Sequence, residues 1–176
     1  MERQKHGFNF EQEIIQKYNL IPSTNYTEKW DGYYNAIPVS IKTEKLGSDI
    51  ELADFRRNAD NQDSFYLIVG FWEGSYSNIV ETKILFIDGK EWHDLFPNEF
   101  IEIFQNCLDS VSNERNDDEK WKTLIKDAKK QWQHSTKNLI RPRFKRDHKK
   151  QKRIQCAINN KDFYNYFIPK YGVETI

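Results

Sequence analysis

Ser64-Phe65-Tyr66-Leu67-Ile68-Val69-Gly70-Phe71-Trp72 is an unbroken apolar run of strand length, the pattern of a strand covered on both faces, and it predicts the centre of a sheet. Towards the C-terminus, Ile79 to Ile87 reads as a second strand. Asp88-Gly89 is a turn signal before the amphipathic Glu91-Trp92-His93-Asp94-Leu95-Phe96. Towards the N-terminus, Thr27 to Tyr34 and Ala36 to Lys45 read as a hairpin closed by Leu46-Gly47-Ser48. In its second strand Val39, Ile41 and Thr43 point one way and Ser40, Lys42 and Glu44 the other. Phe10, Ile14, Ile15 and Tyr18 fall at helical spacing, so a helix opens the domain with Glu11 beside its apolar face. Ser48-Asp49-Ile50-Glu51 reads as an N-cap and first turn of a helix continuing to Ala59.

From Pro97 onward the spacing is helical, over Glu99 to Val111 and Asp117 to Gln133. Trp121, Leu124, Ile125, Ala128 and Trp132 form one stripe, which reads as core. Ile154-Gln155-Cys156-Ala157-Ile158 is expected to be helical too. The order predicts an α/β domain with a mixed central sheet flanked by helices and a helical, basic C-terminal region. A length of 176 residues suits one domain, with residues 1–96 as its α/β core and 97–176 as the helical part.

A formal net charge of zero hides an asymmetry. Residues 120–176 hold 16 Lys/Arg against Asp127, Asp147, Asp162 and Glu174, a net +12, which leaves −12 for residues 1–119. The C-terminal third therefore suits a polyanion. Aromatics at 15% argue for a folded core despite the polar average. Cys107 and Cys156 show no ligand spacing and are expected to be reduced and at least partly buried. The charged start runs into no apolar segment, and no run approaches the ~18 residues a membrane span needs, so a cytoplasmic protein is expected.

The chemistry concentrates in Lys29-Trp30-Asp31-Gly32 and Ile37-Pro38-Val39-Ser40-Ile41-Lys42-Thr43-Glu44. Hydrolysis of a phosphodiester needs a divalent cation to polarise the phosphate and acidify water, and a cationic group to hold the developing charge. Mg²⁺ takes hard oxygen ligands. Asp31 at a strand end and Lys42 on the paired strand suit these two roles, and Ser40 and Glu44 share the face of Lys42. No GxGxxG, Walker loop, HExxH or nucleophile elbow occurs, which argues against nucleotide-binding, zinc-protease and serine-hydrolase readings.

Together with Gly7-Phe8-Asn9-Phe10-Glu11 before them and Gly47-Ser48-Asp49-Ile50-Glu51-Leu52-Ala53-Asp54-Phe55-Arg56 after them, these residues resemble the PD-(D/E)XK nuclease superfamily, in particular small type II restriction endonucleases. The resemblance covers about residues 7 to 87. It implies a restriction-endonuclease-like fold, Asp31 and a second acidic residue on Mg²⁺, the Ile41 carbonyl as a backbone ligand, and Lys42 activating the attacking water. The second acidic position here is Ser40, which supplies no charge. Glu11 is the preferred replacement, with Glu13 as its neighbouring rival; Glu44 shares the face but lies about 6 to 7 Å further along the strand.

Lys137 to Arg153 contains nine Lys/Arg in seventeen residues, a density suited to neutralising phosphates. Arg141, Arg143, Lys145, Arg146, His148, Lys149, Lys150, Gln151, Arg153 and Gln155 are the expected DNA contacts, the Arg and Gln side chains having the donors and acceptors to read base edges. The expectation is a Mg²⁺-dependent, site-specific endonuclease of double-stranded DNA. It would act as a homodimer, since two symmetry-related sites cut a palindrome most simply, and a DNA methyltransferase is a candidate companion. Two other readings are a non-catalytic DNA-binding protein on a degenerate nuclease scaffold and an RNA-binding or toxin-like factor.

Overall fold

The long hydrophobic strand is where the sequence placed it. In the computed structural model, which describes residues 2–24, 28–109, 118–135, 137–146 and 152–176, β5 (Phe65–Trp72) lies inside a six-stranded mixed sheet. Its neighbours are β3 (Ile37–Lys45), parallel, and β6 (Ile79–Ile87), antiparallel. β2 (Gly32–Tyr34) and β1 (Ile21–Pro22) extend the sheet beyond β3, and β9 (Gly172–Val173) closes it beyond β6. Alternate β5 residues serve two cores. Ile68 joins Val39, Ile41 and Ile84 beneath α1 (Glu2–Lys17), which supplies Phe10, Ile14 and Ile15. Leu67, Val69 and Phe71 face the larger core on the other side. All four side chains are fully buried, each contributing on the order of 1.5–3 kcal/mol.

β2 and β3 form the expected hairpin; β2 begins at Gly32, and Thr27, the start expected from sequence, lies outside the described residues. Asn35 and Ala36 connect them with φ of 48° and 67°. Two left-handed residues make the turn whose twist matches antiparallel strands. A parallel partner requires a crossover, and residues 46–64 provide it.

That crossover departs from the sequence expectation of one helix over Ser48 to Ala59. Ile50 to Asp54 is strand β4, and only Phe55–Ala59 (α2) is helical. Tertiary pairing overrides the capping signal, because Ile50 and Leu52 both enter the larger core and β4 pairs with a strand just over a hundred residues later. The N-cap is Asp54, whose carboxylate accepts from the Arg57 amide at 2.8 Å. Asp88 likewise caps α3 (Gly89–His93) by accepting from the Glu91 amide at 3.0 Å.

α4 (Asn98–Asp109) and α5 (Asp118–Ser135) match the expected helices over Glu99 to Val111 and Asp117 to Gln133 as far as these are described, Ser110, Val111 and Asp117 lying outside the described residues. Four residues of the stripe on α5 are core, with Trp121, Ala128 and Trp132 buried and Leu124 packed against the same cluster, while Ile125 is half-buried and belongs to neither core. The next segment corrects the expectation of a helical C-terminal region. β7 (Ile140–Arg146) and β8 (Lys152–Ile158) are antiparallel strands, and with β4 they form a second, three-stranded sheet in the order β4-β8-β7. The apolar residues repeat every second position, which a helical reading of the short Ile154–Ile158 run cannot distinguish from one apolar helix face. Ile140, Phe144, Ile154, Cys156 and Ile158 turn inward onto Phe55, Phe104 and Trp132. Short helices α6 (Asn160–Asp162) and α7 (Ile168–Tyr171), joined by a π-helical turn at Phe163–Phe167, lead into β9. The protein is thus a mixed α/β fold whose mixed sheet is flanked by helices. No helix among the described residues is long and apolar enough to cross a membrane.

Candidate active site and basic face

Asp31 immediately precedes β2, and its side chain takes the place of a ladder carbonyl. Its amide donates to the Val39 carbonyl at 2.9 Å, and its Oδ2 accepts from the Ile41 amide at 2.6 Å. The carboxylate is thereby fixed on β3, one residue from Lys42. The Lys42 ammonium lies 3.5 Å from Asp31 Oδ2 and donates to the Ile41 carbonyl at 3.1 Å. Both side chains are about a quarter exposed, at 24% and 27%, so the pair is screened from bulk water without being sealed.

Glu11, on α1, lines the same cleft as Lys42. Burial pushes its carboxyl pKa up, the Asp31 charge raises it further, and Lys42 pulls it down. The helix is held there by a close approach to β5: a Cβ on Gly70 would lie 2.5 Å from Phe10 Cζ, so the Phe10 ring occupies the space a side chain would need. The signal was a glycine inside an otherwise hydrophobic strand, which marks close approach by another element.

The donor set suits a small divalent cation. A carboxylate whose charge is disfavoured by burial and by a second carboxylate, as at Glu11, is relieved by a bound cation. Both contacts of Asp31 use Oδ2, leaving Oδ1 for a metal, and the Ile41 carbonyl has a second lone pair beyond the one facing Lys42. No group of three or more His, Cys, Asp or Glu side chains among the described residues is placed to hold a metal. The protein ligands for Mg²⁺ would be Asp31, Glu11 and Ile41 O, with water completing a shell that Mg²⁺ surrenders reluctantly.

The other two site candidates are placed differently from each other. Ser40, at 8% exposure, is buried opposite Leu67 in the register and does not line the cleft. Glu44 lines it, but its Oε1 accepts from the Glu51 amide at 3.0 Å, which ties it to β4.

The cleft has a volume of about 730 Å³ and runs from Gly7 and Glu11 across Lys42 and Lys45 to Arg143 and Lys145. Pairing in the β7–β8 hairpin sets Arg143 opposite Gln155 and Lys145 opposite Arg153, so these predicted DNA contacts share the face turned away from the core. Arg143 is a strut as well as a surface cation. It meets Asp49 Oδ2 at 2.5 Å and Glu51 Oε1 at 3.1 Å. Asp49 Oδ1 also accepts from the Asn159 side chain at 2.9 Å and the Asn160 amide at 3.0 Å. Arg141 lies 3.9 Å from Asp162, so it too is engaged within the protein. Arg146 belongs to β7, while His148, Lys149, Lys150 and Gln151 lie outside the described residues. The Asp49 hub escaped the sequence reading because its partners are 94 to 111 positions away.

Both cysteines are buried thiols outside any disulfide, and burial pushes both upward in pKa. They are packing groups rather than ligands. Comparison with protein-family models, with curated proteins and with solved structures finds no match to this chain.

Proposed function

We propose that this protein is a Mg²⁺-dependent, site-specific endonuclease of double-stranded DNA, of the restriction type, on a restriction-endonuclease-like fold of the PD-(D/E)XK kind. The observation that carries the proposal is the Asp31–Lys42 pair fixed by the β2–β3 hairpin, with Lys42 and Glu11 lining one cleft that continues onto Arg143 and Lys145 of β7. Bound Mg²⁺ would polarise the scissile phosphate and lower the pKa of the attacking water. Lys42, held between Asp31 and the Ile41 carbonyl, is positioned to orient that water and offset charge on the phosphate. Lys145 and Arg153 grip the backbone on either side of the hairpin register. The same reading implies a cytoplasmic homodimer that cuts both strands of a palindrome, with a methyltransferase as companion.

A second reading draws on Ser40. With no carboxylate at that position and no three-carboxylate group among the described residues, a DNA-binding protein that has lost catalysis is the competitor. The deciding experiment is incubation of the purified chain with unmethylated phage-length DNA and Mg²⁺, beside Asp31→Ala. Discrete bands from the wild type alone are expected. Intact DNA in both lanes, with Mn²⁺ as with Mg²⁺, would transfer the assignment to the binding protein.

A further inference from the structure

Trp72 and Tyr76 form an aromatic pair at and just beyond the end of β5. Their centroids are 4.2 Å apart with planes inclined at 49°, both line the cleft, and neither belongs to either hydrophobic core. Each is half-buried. β5 ends at Trp72, whose carbonyl accepts from the Leu46 amide at 2.9 Å, and the register sets Trp72 beside Lys45. Lys145 of β7 lines the same cleft.

We infer that the Trp72–Tyr76 pair is a stacking platform for a nucleobase displaced from its neighbours in the DNA strand that occupies the cleft. Aromatic rings outside both cores, in a cleft that Lys42, Lys45 and Lys145 line together with Glu11, Glu44 and Glu51, match a base whose phosphates the lysines neutralise, because stacking and backbone neutralisation then act on one ligand. An apolar peptide segment would meet these charged side chains on the remaining walls. Within intact duplex both faces of a base are covered, so the platform favours DNA whose pairing is locally open. Lys42 and Lys45 are three residues apart on β3, roughly 10 Å, or about three base-pair rises. The engaged base therefore lies within about three positions of the cut.

The inference rests on the nuclease reading for the location of the cut, and on binding alone for the base contact. It is tested by fluorescence anisotropy with Ca²⁺ in place of Mg²⁺, using a labelled duplex and the same duplex carrying a central unpaired tract. Wild type should prefer the bubble by about tenfold. Trp72→Ala and Tyr76→Ala should lose that preference and keep duplex affinity, while Trp72→Phe should keep most of it. Equal binding of both probes by wild type, a preference surviving both alanine variants, equal loss on both probes, or no binding at all would each overturn the platform. A bubble preference in a chain that never cuts DNA sinks the nuclease reading alone; cutting without the preference sinks the platform alone.

Discussion

Asp31 uses one oxygen to complete a sheet ladder and to face Lys42, so its position is set by the fold before any ligand arrives. Glu11 differs in kind, because its proton is held more tightly than that of an exposed glutamate, first through burial and then through Asp31. Cation binding needs the ionised carboxylate. Mg²⁺ affinity and cleavage should therefore fall with decreasing pH through this raised pKa, at a higher pH than an ordinary glutamate would impose. Without metal the sign reverses: the fold favours the protonated form, so the stability Glu11 contributes is present at low pH and lost as pH rises through the window. Glu11→Gln should flatten that slope in metal-free thermal melts and weaken Mg²⁺ binding at neutral pH. A pH dependence identical to wild type would assign the titration to another group.

The β7–β8 hairpin shows what an element's pattern reveals and what it conceals. Its charge was legible, as were β5, β6 and the amphipathic helices, because each carries a long periodic signal. Its strand character was concealed because Ile154–Ile158 alternates too briefly to separate period two from a helical face, and the deciding partners, β4 and the aromatic rings of α4 and α5, are distant in sequence. β4 was misread for the same reason: Ser48 and Asp49 look like a helix start, yet Asp49 is committed to Arg143 and the Asn159–Asn160 turn. The proximity of Asp31 and Lys42 is legible in the sequence because hairpin geometry fixes their relation locally. The hairpin's cationic face makes a direct prediction: Lys145→Ala combined with Arg153→Ala should reduce the slope of log affinity against log salt by up to about 1.8 on duplex DNA, roughly 0.9 for each phosphate that is no longer neutralised. An unchanged slope would remove these residues from the DNA interface.

At the scale of the whole molecule, the larger core joins the two parts that composition suggests. Phe55 of the crossover meets Trp132 of α5 at 5.7 Å between ring centroids, and Phe104 of α4 meets Phe144 of β7 at 5.2 Å. Trp132 is buried, and its indole donates to the Ile140 carbonyl at 2.7 Å. Trp132→Ala should cost about 3–5 kcal/mol, a large share of the ~5–15 kcal/mol typical of a domain. Urea denaturation should show one cooperative transition with a lower midpoint; two separate transitions would mean that residues 1–96 and 97–176 fold independently. The same core has a consequence for engineering. Because inward and outward side chains alternate along β7 and β8, positions 145, 153 and 155 can be randomised while Phe144, Ile154 and Cys156 keep their identity, giving a library that explores new target sequences on an unaltered foundation.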